Sequence, residues 1–195
     1  MTTDPTTAPP RKVLLFSGHM IDAPDRETPR FPSDKEGVAA RAIDGLLADL
    51  GTGPGDLAIC GGACGGDLLF AESARARGAA VELWLPFEPE DFVAGSVAFA
   101  GGDWMTRFQK AMAGAAAVHV LPREEGPLPE GADAYERNNV RMLEAAARFG
   151  PERTDFIALW NGQGADGPGG TQHLMDEVSQ RQGRVHWLDT RRLWS

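Results

Sequence analysis

Unbroken apolar runs alternate with amphipathic stretches along most of the chain. Val13, Leu14, Leu15 and Phe16 form such a run within Lys12–Ser17. A run of this kind suits a strand buried on both faces of a parallel sheet. A long loop rich in Pro, Asp and Arg follows over Gly18–Pro32. Ser33 and Glu36 have the spacing of a capping box. The helix after them carries Val38, Ala42, Ile43, Leu46, Leu47 and Leu50 on one stripe and stops at Gly51.

The alternation then repeats. Strands are expected at Asp56–Cys60, Ala80–Leu85, Ala117–Leu121, Asp155–Trp160 and Arg184–Leu188. Helices are expected at Gly66–Arg77, Asp103–Met112, Asp133–Phe149 and Thr171–Arg181. Pro86–Gly102 reads as irregular with one short helical turn, and Pro122–Gly131 as a solvated loop. The order implies right-handed crossovers and an α/β fold: a three-layer, Rossmann-like open sheet, mostly parallel, with helices on both faces. Residues 1–11 lack periodicity and read as a flexible tail, leaving residues 12–195 as a single domain.

Composition narrows the function. The 195 residues carry a net charge of −9, which disfavours nucleic acid and anionic membranes as partners. No apolar run approaches the ~20 residues that span a bilayer. No secretory signal begins the chain, so a cytoplasmic protein is expected. Cys60 and Cys64 lack metal or redox spacing and read as small packing thiols. His119, inside an apolar run, reads as a core histidine. No metal and no cofactor are expected.

The glycines fall where open α/β sheets bind ligands, beyond the carboxyl ends of the strands. Gly61, Gly62, Gly65 and Gly66 supply four of six residues ahead of a helix, with Asp67 next. Such a turn brings backbone N–H groups and a helix N-terminus to an anion, or serves as a tight turn alone. A second cluster, Gly167-Pro168-Gly169-Gly170-Thr171, precedes a later helix that Thr171 could cap. Gly18 and His19 leave the first strand, and His19 could act as an acid or base or contact phosphate. Asn138 or Asn139 could hydrogen-bond a ribose or base. Trp187, Leu193 and Trp194 could dock on the sheet or on a second subunit of a homodimer.

The segments FSGHMIDAPDR, GGACGGDLLFAE and LWNGQGADGPGGT resemble the SLOG superfamily, the Rossmann-like group of the DprA/Smf proteins and the LOG phosphoribohydrolases. The resemblance spans about residues 12–188. It implies a nucleotide-type ligand held between the two glycine turns, on Gly61, Gly62, Gly65, Gly66, Gly169, Gly170 and Thr171. Leu174 stands where the LOG enzymes have a catalytic glutamate. The leading expectation is therefore binding of a nucleotide or nucleotide-derived ligand, as in a sensor or signalling domain. The alternative is a nucleotide-processing hydrolase, a phosphoribohydrolase or N-glycosidase, using Asp22, Asp67 or Glu72 as acid–base. A third reading is a protein-interaction domain that has lost its ligand.

Overall fold

The computed structural model describes residues 8–163 and 170–195. Six strands form one sheet: β1 (Val13–Gly18), β2 (Leu57–Cys60), β3 (Ala80–Leu85), β4 (Ala117–Val120), β5 (Thr154–Trp160) and β6 (Arg184–Asp189). Their order is β4-β3-β2-β1-β5-β6 and every pairing is parallel. Leu15 faces Ile59 on β2 and Phe156 on β5, so β1 is the central strand. This is the Rossmann-like α/β architecture.

The helices are α1 (Glu36–Asp49), α2 (Gly66–Ala76), α3 (Pro89–Ser96), α4 (Trp104–Gly114), α5 (Leu121–Glu125), α6 (Ala134–Ala147), α7 (Thr171–Gln180) and α8 (Thr190–Leu193). They divide between the two faces because alternate strand residues point to opposite sides. Leu14, Phe16, Ala58, Cys60 and Leu83 pack against α1, α2 and α4. Val13, Leu15, Ile59, Phe156 and Ala158 pack against α6 and α7. The chain leaves β1 toward β2 and leaves β5 toward β6, in opposite directions. The gap between the carboxyl ends of β1 and β5 is thus the topological switch point.

Several local expectations change. Ser33 caps nothing: Ser33–Lys35 form a 3-10 turn and α1 starts uncapped by any side chain. The Glu36 carboxylate goes instead to Arg107, which donates to it at 2.6 Å. The irregular Pro86–Gly102 stretch contains the eight-residue α3, which begins on Pro89 and buries Phe92 and Ser96. The loop after β4 opens with the short α5. His119 is no core residue. It lies on the edge strand β4, stacked on Trp84 at 3.9 Å, with Nδ1 3.0 Å from Glu124. Arg11, assigned to the tail, is tied down: its N–H donates to Gly55 and its guanidinium pairs with buried Asp56. No helix among the described residues is long and apolar enough to cross a membrane.

Candidate functional site

A cavity of about 160 Å³ opens at the carboxyl edge of the sheet. Ser17 and Gly18 enter it from the end of β1, Gly61 and Ala63 from the turn after β2, Asp67 from α2 and Asn138 from α6. Met20, Pro86, Phe92 and Met142 supply an apolar wall. Right-handed crossovers bring these segments together, since each follows or overlies a strand whose carboxyl end points the same way. Tyr135 also lines the cavity, and its hydroxyl shares a 2.9 Å hydrogen bond with that of buried Ser96.

The first glycine turn is folded tightly around the chain's own groups. Gly62 and Gly65 adopt φ of +81° and +94°, which only glycine takes without strain. A Cβ on Gly65 would lie 2.7 Å from the Ile21 nitrogen, so this glycine exists for backbone approach. Gly66 N–H donates to the His19 carbonyl at 3.1 Å and Cys64 N–H to Ser96 at 2.9 Å. Ala63 N–H donates to Asp67 Oδ2 at 3.2 Å, and the Gly61 N–H also bonds the Asp67 carboxyl. Asp67 therefore occupies the amide nest that was expected to cradle a phosphate. It is the nearest anion to the N-terminus of α2, and the chain supplies it covalently. Burial pushes its pKa up to about 7, against the lowering effect of those two amides. Gly62 turns away from the cavity toward Leu83, Leu85 and Phe108.

His19 is buried beside the cavity as a brace. Its Nε2 accepts the Asn161 N–H at 3.1 Å, and its backbone N–H donates to the Leu159 carbonyl at 2.9 Å. Both bonds tie the exit of β1 to the end of β5. Burial first, then the Arg30 guanidinium, pushes its pKa down to about 4, so at neutral pH it is uncharged. Asp22 closes the loop after β1. It accepts the N–H groups of Arg30 and Phe31 at 2.9 and 2.8 Å and pairs with Arg26 at 3.1 Å. Glu72 sits between α2 and α4, bonded to Arg107 at 2.7 Å. Of the three carboxylates considered for acid–base work, Asp67 is the one in the cavity.

The second glycine cluster is described only from Gly170 onward; Gly167, Pro168 and Gly169 lie outside the described residues. Thr171 does not cap its helix, whose N-cap is Gly170. Its Oγ1 lies 3.1 Å from Ser17 Oγ, which joins the start of α7 to the cavity rim. Asn138 is 3% exposed, and its Nδ2 donates to the Trp84 carbonyl at 2.8 Å. The carbonyl accepts only, so this bond fixes the amide orientation and leaves Oδ1 inside without a partner among the described residues. Leu174 is buried in the core against β5 and takes no part. Cys60 and Cys64 are both free and buried, and burial raises both thiols, Cys64 to about 12.

Sequence reasoning reached Gly18, Gly61, Asp67 and Asn138, which the structure gathers in one cavity. Gly65, Gly66 and His19 form its backing. It missed the wall of Met20, Pro86, Phe92 and Met142. A signal for part of it existed: Ala134, Asn138, Met142 and Ala146 follow one another at i+4, which marks an asparagine inside an apolar stripe.

No known family pattern matches the chain, and no curated protein matches it. Among solved structures, the X-ray structure of TM1055, a structural-genomics target, is 15% identical over 90% of this chain and 91% of that one, with a TM-score of 0.40. The Moco carrier protein from Chlamydomonas reinhardtii is 12% identical over 94% of this chain and 98% of that one, with a TM-score of 0.36. Both likenesses are loose. The class, a Rossmann-like α/β protein with a cavity at the carboxyl edge of its sheet, stands on strand order and site geometry.

Proposed function

We propose that this chain binds a nucleotide-derived small molecule at the carboxyl edge of its sheet, as a SLOG-type domain. One observation carries the reading: the end of β1, the turn after β2, Asp67, Asn138 and, through Ser17, the start of α7 all converge on one cavity beside the switch point. The cavity seats the nucleoside part. Any phosphate lies outside it, toward the Ser17 and Thr171 hydroxyls, because the amides of the first turn already hold Asp67.

The test is a thermal-shift and calorimetric panel of AMP, adenosine, ADP-ribose and NAD on the full chain, with mass spectrometry of co-purifying molecules. A ligand at a hundredfold excess over Kd stabilises by about 2.7 kcal/mol. Thr171→Val should weaken AMP by roughly tenfold, the worth of one charge-assisted hydrogen bond, and leave adenosine unchanged. Silence across the whole panel refutes the reading.

Asp67 supports a second reading, nucleotide processing. A carboxyl that titrates near neutrality inside a cavity is suited to general acid–base work. Release of free base or phosphate that disappears in Asp67→Asn supports it; release that persists in that variant removes Asp67 from the chemistry.

A further inference from the structure

Among the described residues three aromatic side chains line the cavity, and one of them has surface to offer. Phe16 and Phe92 are buried, stacked on Phe70 and tilted on Phe108. Tyr135 is 42% exposed. The other exposed large apolar residue among those described, Trp187, lies away from the cavity on the edge strand β6. Tyr135 is exposed yet restrained. It stands in the first turn of α6, and its hydroxyl is bonded at 2.9 Å to that of Ser96, which has no exposed surface. The ring is thus held by its helix at one end and by α3 at the other. Phe87 meets it edge to face with ring centroids 5.4 Å apart, so it covers no more than one face. A ring fixed in this way loses little conformational freedom when a ligand packs on it.

The rest of the lining says what kind of group suits that ring. No arginine, lysine or histidine lines the cavity among the described residues, so nothing there pairs with a phosphate. Met20, Pro86 and Met142 are apolar, and the Asp67 carboxyl accepts hydrogen bonds. A neutral, planar group bearing N–H donors fits this set. We infer that Tyr135 is the base-recognition residue of the cavity, the nucleobase of the ligand stacking on its ring. This inference rests on the proposed nucleotide-type ligand and names the residue that receives its base. Every base has a π-face, so such a platform selects nucleosides over bare sugar phosphates and favours purines through their larger overlap.

Tyr135 is the one tyrosine of the chain, so 3-fluorotyrosine labels this ring alone. The experiment titrates the labelled full chain with AMP, adenosine, ribose 5-phosphate and inorganic phosphate, followed by fluorine NMR and calorimetry. AMP and adenosine should move the single fluorine signal; ribose 5-phosphate and phosphate should not. Tyr135→Ala should weaken AMP and adenosine roughly 5- to 150-fold, the worth of one base–aromatic stack, and leave ribose 5-phosphate unchanged. Tyr135→Phe keeps the ring without the Ser96 bond and should keep most of the affinity. If Tyr135→Ala does not fold, the fluorine signal decides alone. AMP that binds Tyr135→Ala as tightly as the unaltered chain, or leaves the fluorine signal in place, overturns the platform and leaves the nucleotide reading standing. Equal losses in Tyr135→Phe and Tyr135→Ala also overturn it, because the hydroxyl and not the ring would then carry the effect. No binding by any nucleotide overturns both readings.

Discussion

Asp67 and His19 both stand at the carboxyl edge and titrate in opposite senses, which makes the pH dependence of stability a direct test of their burial. The Asp67 carboxyl goes from its ordinary 3.8 to about 7 in the folded chain. Below pH 3.8 it is protonated in both states and nothing is lost. Between 3.8 and 7 the unfolded chain ionises first, so folding stability falls, levelling above 7. The full fall is roughly 4 kcal/mol, an upper value because the cavity admits water to the residue. His19 goes from 6.5 to about 4. Above 6.5 it is neutral in both states. As pH falls from 6.5 to 4 the unfolded chain takes up the proton first, so stability is lost on acidification, by roughly 3 kcal/mol. The two slopes nearly cancel between pH 4 and 6.5. Urea unfolding of the unaltered chain, Asp67→Asn and His19→Gln at half-unit steps from pH 4 to 8 separates them. The stability of the unaltered chain minus that of Asp67→Asn should fall by roughly 4 kcal/mol from pH 4 to 7. The same difference against His19→Gln should rise by roughly 3 kcal/mol from pH 4 to 6.5. Groups that titrate alike in both proteins drop out of each difference. A flat difference against Asp67→Asn means that its carboxyl is solvated and that the amide nest is not its home.

Gly65→Ala should destabilise by more than about 3 kcal/mol in chemical denaturation, since it combines a positive φ with a backbone clash at 2.7 Å from Ile21. Gly102→Ala, with φ of +57° and open space around it, should lose only about 1 kcal/mol. Trp194 stacks on Phe31 at 5.3 Å and donates Nε1–H to the Arg30 carbonyl at 3.1 Å. Trp194→Ala should therefore destabilise by roughly 3 kcal/mol and expose Gly18–Pro32 to limited proteolysis; unchanged cleavage would show that α8 does not hold that loop. Arg30 Nε is buried without a partner, and burial and Arg26 lower the guanidinium pKa. The Asp22 carboxylate already offsets part of that repulsion.

The central strands were legible because they are buried on both faces. A run such as Val13–Phe16 or Phe156–Trp160 has few readings other than a parallel strand. The long helices were legible for a different reason, as each carries one apolar stripe. Pro89–Ser96 was not, because two buried residues in eight make no stripe, and its Pro89 start resembles a loop. At the site, sequence located the residues but not their partners. That Asp67 would fold back onto Ala63 and Gly61 depends on the turn's closure, which glycine spacing permits without dictating. That Gly65 and Gly66 would meet His19 and Ile21 depends on the path of a fifteen-residue loop, Gly18–Pro32, with no periodicity to fix it. The sequence offers Asn138 or Asn139 as a contact to a ribose or base, but does not show that Asn138 is buried within its helical stripe with its amide bonded to the Trp84 carbonyl.

The ends of the helices explain how an acidic chain can still suit an anionic ligand at this edge. Helix N-termini attract negative charge, and most of those here are already supplied with it. Glu36 lies in the first turn of α1, Asp67 in that of α2, Glu90 and Asp91 in that of α3. Asp133 caps α6 and Asp189 caps α8. Among the described residues, α4 and α7 have neither an acidic residue in the first turn nor a side-chain cap, although Asp103 stands at the N-cap position of α4. In α7, Thr171 reaches Ser17, at the rim of the cavity. In the proposed complex the phosphate lies at the start of α7, beside the Ser17 and Thr171 hydroxyls. Placing an aspartate in α7's first turn, as Gln172→Asp, would supply that charge internally and should depress AMP affinity while sparing adenosine.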